Sequence, residues 1–267
     1  MRRSPSWWLA TGLAVAACGK GEKNPGIAAD SNMMRDSGTE AGSTSSASAS
    51  SGPQAIVTVI YRQPKDTARF EKYYSETHVP LVQASQKEVG FTKAELTRFV
   101  STLDGKKPTF YRQAELYFNS MDDLKKGVAT AAFKKIGADL PKFATGGLLG
   151  MTAVETGDKG DAACPALVTV IYNQPKDSAK FEQYYNATHV PLVGSNQSDI
   201  GFTRADLTRF EGNLDGSKPS KYRQAELCFD SMDALKKGLA SGGFKKVGGD
   251  LPKFATGGLT GLIGEQQ

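Results

Sequence analysis

Residues 56–61 read IVTVIY, a β-branched apolar run that predicts a buried strand, stopped by Pro64. From about Asp66 the period changes. Phe70, Tyr74, Thr77 and Leu81 recur at helical spacing, and Pro80 is expected to disturb or end that helix. Residues 90–99 (GFTKAELTRF) alternate as a strand, Asp104 and Gly105 mark a turn, and residues 111–118 form the return strand of a long hairpin. Ser120 and Asp123 have capping-box spacing and open a second helix, from Met121 to about Ala132. A glycine-rich segment then leads to a last strand at residues 148–155. The order is βαββαβ, which has a ferredoxin-like solution with two helices on one face of a four-stranded antiparallel sheet. On the return strand Ala114, Leu116 and Phe118 suit the helices. Gln113, Glu115 and Tyr117 face the other way, joined by Tyr61 or Thr58 from the first strand.

That second face has a covalent partner, because the pattern occurs twice. An offset of 111 residues carries His78 onto His189, Tyr61 onto Tyr172, Arg98 onto Arg209, Glu115 onto Glu226 and Phe143 onto Phe254, without a gap. The layout is a first copy at residues 55–155, a connector at 156–165 and a second copy at 166–267. In the second copy Ala234 replaces the acidic box partner, so that cap should be weaker. The fold class expected is α+β, two ferredoxin-like units whose sheets meet face to face in an intramolecular pseudo-twofold pair. Separate, non-contacting units are the alternative.

Ahead of the repeats, Arg2 and Arg3 precede a short apolar stretch and Cys18, so residues 1–18 resemble a bacterial lipoprotein signal with Cys18 as the lipidated residue. The apolar stretch is too short to span a bilayer, which needs about 20 residues. The expected location is therefore the cell envelope, anchored to a membrane through the N-terminal lipid. Gly19 rather than Asp after the cysteine resembles the sorting pattern of Gram-negative lipoproteins, which implies the outer membrane. An ordinary secretory signal, giving a secreted or periplasmic protein, is the alternative. Residues 19–54, rich in Ser, Gly and Ala, read as a flexible tether. The net charge of +5 is spread among interspersed acids, and no nucleic-acid partner is expected. An exported location permits a bridge between Cys164 and Cys228 if their Cα atoms come within about 7 Å, and free buried thiols remain open. No Cys or His spacing indicates a metal site, and no cofactor is expected.

The runs FEKYYSETHVPLV from Phe70 and YRQAELYF with SMDDL in residues 111–124, repeated as FEQYYNATHVPLV and YRQAELCFDSMDAL, resemble the EthD family of the dimeric α/β-barrel superfamily over nearly all of both copies. The resemblance implies a barrel formed by two ferredoxin-like units, here within one chain, and a small hydrophobic organic ligand bound between sheet and helices. It implies chemistry by proton transfer or cofactor-free oxidation. A ligand-binding lipoprotein without chemistry and a structural envelope protein are the rivals.

His78 and His189, the only histidines, are the candidate catalytic residues. An imidazole at the edge of an apolar helical stripe can move a proton near neutral pH. Tyr74 and Tyr185, one helical turn away, and Tyr61 and Tyr172 on the sheet are candidate substrate-binding groups. Two other readings stand beside this one. The ring can bond a backbone carbonyl left unpaired because Pro80 lacks an N–H. It can also ligate metal or haem, as in some relatives of the superfamily, although no CxxCH motif is present. Glu115 and Glu226 are expected to pair across strands with neighbouring arginines, Arg112 or Arg98 and Arg223 or Arg209, as structural ion pairs.

Overall fold

The structure, a computed structural model, describes residues 53–157 and 163–267. Residues 1–18 with Cys18, nearly all of the tether at 19–54 and the middle of the connector lie outside the described residues. The first copy runs β1 (Ala55–Arg62), α1 (Thr67–Tyr73), a π-turn (Tyr74–His78), α2 (Val79–Val89), β2 (Lys93–Thr102) and β3 (Phe110–Phe118). It continues with α3 (Met121–Ala129), α4 (Ala131–Asp139), a 3-10 turn (Leu140–Lys142) and β4 (Leu148–Glu155). The second copy repeats this as β5 (Ala166–Asn173), α5 (Ser178–Tyr184), a π-turn (Tyr185–His189), α6 (Val190–Ser195), α7 (Gln197–Ile200) and β6 (Arg204–Asn213). It ends with β7 (Lys221–Phe229), α8 (Met232–Ala240), α9 (Gly242–Asp250), a 3-10 turn (Leu251–Lys253) and β8 (Leu259–Gln266).

Within each copy the strands pair antiparallel, with Thr58 opposite Glu115 on β3 and opposite Met151 on β4. The two sheets do more than face each other. Their edges hydrogen-bond, β2 to β8 and β4 to β6, closing one barrel in the order β1-β3-β2-β8-β5-β7-β6-β4. Closure leaves no strand edge exposed within the barrel, the condition that otherwise invites edge-to-edge association. The pairing obeys the 111-residue offset: Arg98 opposes Glu265, and Arg209 opposes Val154. Irregularities in register between Phe99 and Ser101 and between Thr152 and Ala153 sit at these two seams. Bulges at such positions raise local twist and help a sheet curl shut.

The alternation of β1 and β3 divides the apolar content into two layers. Ile56, Ile60 and Tyr117 turn into the barrel and pack with Ile171, Phe210 and Leu262 of the second copy. Val57, Leu116 and Phe118 turn outward against the helices, with Leu124 and Ile136. Tyr61 belongs to the outer layer, among Phe70, Tyr74 and Phe143, so of the two β1 candidates Thr58 alone shares the interior parity.

Pro80 disturbs the first helix and does not end it, which is one of the two outcomes expected. It sits in the first turn of α2, after a π-turn in which the Val79 N–H bonds Tyr74 O, five residues back. Widening the coil by one residue removes the clash of the proline ring with the carbonyl four positions earlier. Further local expectations are corrected. The second helix stops at Ala129, and the supposed glycine-rich segment is largely a further helix, α4, opened by the Thr130 hydroxyl accepting from Phe133 N at 3.1 Å. In addition, each of the four arginines has a partner other than the one expected. Arg112 donates to Glu71 at 2.9 and 2.6 Å, Arg98 to Glu265 at 2.6 Å, Arg209 to Glu211 at 2.8 Å and Arg223 to Glu182 at 2.8 and 2.6 Å. Glu115 instead accepts from Gln224 of the second copy at 3.1 Å, and Glu226 accepts from Gln113 at 3.1 Å. This crossed pair of amide-to-carboxylate bonds joins the copies through the buried centre of the barrel. Cys164 and Cys228 form a disulfide with Cα atoms 4.9 Å apart, fastening the end of the connector to β7.

Candidate functional site

Between the outer face of the first-copy sheet and its helices lies a cavity of about 240 Å³. β1 contributes Val57, Val59 and Tyr61, β2 contributes Ala94 and Leu96, and β3 contributes Ala114 and Leu116. The opposite wall comes from Tyr74, His78, Val79 and Val82 and from Phe133, Ile136 and Leu140. An apolar cavity of about 150 Å³ holds one benzene ring. The volume here therefore admits a substituted ring or two fused rings.

His78 is 3% exposed and its two nitrogens have different company. Nδ1 lies 2.9 Å from Asp139 Oδ2, and Nε2 lies 3.5 Å from the Tyr61 hydroxyl, a long contact on the cavity side. The proline-freed backbone carbonyl is not its partner. Asp139 also accepts from the Tyr73 hydroxyl at 2.8 Å and faces Lys142 Nζ at 3.0 Å. Burial raises the affinity of its carboxyl for a proton, but the bonds from His78, Tyr73 and Lys142 outweigh this and hold it below the usual carboxylate value. For His78 burial wins over the bond to Asp139, so the imidazole pKa is lowered. A neutral ring beside an ionised Asp139 places its one proton on Nδ1. Nε2 is then the basic atom, facing the cavity.

The rest of the site is aromatic. Phe143 packs against His78 at 4.6 Å between ring centres and against Tyr61, Phe70, Tyr73 and Tyr74. Tyr74 lies between Phe70, stacked at 5.5 Å, and the Arg112 guanidinium, 4.9 Å from its ring centre. Burial pushes the Tyr61 phenol well above its ordinary pKa, Tyr74 and Asp139 adding to that and Arg112 opposing it. Tyr74 is raised by burial too, against the pull of Arg112. Both phenols are neutral hydrogen-bonding groups at physiological pH.

The second copy repeats the arrangement. His189 Nδ1 lies 2.9 Å from Asp250 Oδ2, Tyr184 donates to Asp250 at 2.8 Å, and Lys253 is 3.1 Å away. Tyr172, Tyr185 and His189 surround Phe254, and burial pushes Tyr185 up to about 12 despite Arg223. The structure thus brings together Tyr61, Tyr74 and His78, and separately Tyr172, Tyr185 and His189. It adds Asp139 and Asp250, which the sequence reading missed. Their signal was present: ADLPKF and GDLPKF keep an acid before the same proline in both copies. Among the described residues no group of three or more His, Cys, Asp or Glu side chains is arranged to hold a metal.

A closed eight-stranded barrel with helices outside, and a histidine–aspartate pair between sheet and helices in each half, defines a dimeric α/β-barrel protein whose halves share one chain. The EthD domain matches it twice, at residues 62–147 and 173–258, and the chain belongs to the EthD family. It is 35% identical over 100 residues to an uncharacterised 11.0 kDa protein of the thcB–thcC intergenic region of Rhodococcus erythropolis, spanning 38% of this chain and 93% of that protein. An ethyl tert-butyl ether D (EthD) family protein from Bacillus halodurans C-125 is 29% identical over 37% of this chain and 95% of its own, with a TM-score of 0.34. An anthrone oxidase-like protein shares the fold across both copies, covering 80% of this chain and 91% of its own at 13% identity and a TM-score of 0.52.

Proposed function

We propose that this protein binds a small, mainly apolar organic molecule in the sheet-to-helix cavity and removes a proton from it with His78, His189 acting in the same way in the second copy. The observation that carries this reading is the division of labour on one imidazole. Asp139 holds Nδ1–H, which leaves the Nε2 lone pair directed at an otherwise apolar cavity. A base in that setting acts on an acidic O–H, or on a C–H next to carbonyl groups, and the neutral phenols of Tyr61 and Tyr74 can donate to the oxygen on which charge develops. Anionic ligands are disfavoured, because no cationic side chain lines the cavity and Arg112 is engaged by Glu71. Proton transfer of this kind needs no added redox group. The carbanion it yields is also the species that reacts with oxygen in cofactor-free oxidation.

The same reading keeps the protein at the cell envelope through lipidated Cys18, supported by the basic, apolar and small-residue pattern that precedes it. Deuterium exchange into an acyclic 1,3-dicarbonyl probe that stays neutral at physiological pH, such as 1-phenylbutane-1,3-dione, tests the chemistry. Wild-type protein should accelerate exchange, His78→Gln and His189→Gln should each reduce it, and the double variant should abolish it. An undiminished rate in the double variant refutes the base. A probe that binds without exchanging in any variant identifies a binding module instead, and oxygen uptake in the same mixture shows whether turnover continues to oxidation.

A further inference from the structure

The floor and the mouth of the first-copy cavity differ in chemistry. Tyr61 and His78 lie at the floor, 1% and 3% exposed. At the mouth stand Leu214, 38% exposed, and the exposed amides of Gln83 and Gln267. Two of those three residues come from the second copy. Leu214, in the turn after β6, donates its N–H to Gly150 O at 2.9 Å and lies over that glycine, where a Cβ would stand 2.8 Å from Leu214 Cδ1. Gln267 is held by its N–H to Leu96 O at 2.9 Å and by Arg112 Nη2 donating to its Oε1 at 2.7 Å. With Oε1 fixed on the guanidinium, the NH₂ end of that amide is turned away from Arg112 as a donor. Apart from Tyr61, Tyr74 and His78, Gln83 and Gln267 are the lining residues whose side chains hydrogen-bond.

The geometry points to a specificity-determining mouth. We propose that Gln83 and Gln267 select ligands carrying a neutral hydrogen-bonding group, such as a hydroxyl or carbonyl, at the end opposite the acidic proton, and that Leu214 limits ligand length. The inference rests on the cavity being the ligand site. It also separates the two copies. The offset places Gly194 where Gln83 stands and Thr156 where Gln267 stands, Thr156 Oγ1 accepting from Arg223 at 2.8 Å. Leu103 is the counterpart of Leu214, over Gly261. The second copy keeps the proton-transfer pair without the two amides, so a selective mouth belongs to the first copy.

The test follows the His78 and His189 ring resonances of the full chain during titration with para-propylphenol and para-(hydroxypropyl)phenol. His78 should report tighter binding of the hydroxylated probe by about threefold to tenfold, the range of one neutral hydrogen bond, while His189 reports no preference. In the Gln83→Ala, Gln267→Ala double variant the preference should vanish while both phenols still shift the His78 resonances, which also shows that the site has folded. Leu214→Ala should improve binding of para-hexylphenol severalfold. A wild-type protein without preference, or a double variant that keeps it, overturns the selective mouth alone. Unchanged para-hexylphenol affinity in Leu214→Ala overturns the length limit. If neither short phenol perturbs His78, the inference falls together with the ligand site it rests on.

Discussion

Replacing Asp139 by Asn isolates the contact on which the proposed chemistry turns. The bond from His78 Nδ1 is 2.9 Å long and buried, with a charged acceptor. Such a bond contributes about 1.5–3 kcal/mol, twice a neutral one. Asn removes the charge and offers an NH₂ group that can donate to Nδ1, which would move the ring proton to Nε2 and direct a donor at the cavity. The imidazole pKa, already lowered by burial, should fall further once the opposing carboxylate is gone. At about 1.4 kcal/mol per tenfold, exchange at the first-copy site should drop about tenfold to a hundredfold even without the tautomer change. Because the chain has two histidines, one per copy, long-range nitrogen–proton correlation spectra assign both tautomers, and His189 with Asp250 serves as an internal control. An unchanged His78 tautomer and titration in Asp139→Asn would refute the argument that this carboxylate sets the base.

Stability should fall on acidification in two steps. Unfolded imidazoles protonate near 6.5, whereas burial keeps His78 and His189 neutral to lower pH. Within that window the unfolded chain binds more protons, so stability drops as pH falls below 6.5 and levels once the folded rings protonate. Asp139 and Asp250 add stabilisation that is present above their ordinary value of 3.8 and lost as pH falls through their lowered folded values. Urea midpoints between about pH 7.5 and about pH 3 should show both steps, with the first reduced in His78→Gln, His189→Gln. Cys164→Ser, Cys228→Ser opens a cross-link spanning 64 residues and should cost about 4 kcal/mol by the chain-entropy relation, read from the same denaturation curves. Gly127→Ala should destabilise by about 1–3 kcal/mol, although alanine favours helices, because a Cβ there would meet Val89 O at 2.3 Å and Phe118 Cε1 at 2.8 Å. A thermal midpoint at or above wild type would refute that packing. Phe143→Ala should cost about 3–5 kcal/mol and loosen His78, whose ring it holds at 4.6 Å, visible as altered imidazole line widths.

What the chain discloses about itself depends on how local the deciding force is. The alternation Gln113, Glu115, Tyr117 against Ala114, Leu116, Phe118 assigned both sheet faces, because a period of two leaves a strand no other choice once one face is apolar. The repeat likewise supplied the partner for the interior face. Which edges join was not legible: β2 meets β8 and β4 meets β6 through backbone groups that every residue carries, with a register fixed by bulges that have no residue signature here. The miss that mattered for function was α4. Residues 131–139 carry Gly137 and paired lysines, so their apolar stripe is thin, and the start is marked only by the Thr130 hydroxyl. Reading that stretch as a loop removed Asp139 from view, and with it the reason His78 has an orientation. The arginines failed for a related reason. Arg112 lies on the helix-facing side of β3 with Ala114 and Leu116, opposite to the interior-facing Glu115, so Glu71 of α1, on that same outer side, meets its guanidinium fork at 2.9 and 2.6 Å. Glu115, left to the interior, is met by an amide of the other copy, so the contact that joins the halves at their centre is one that a single copy does not contain.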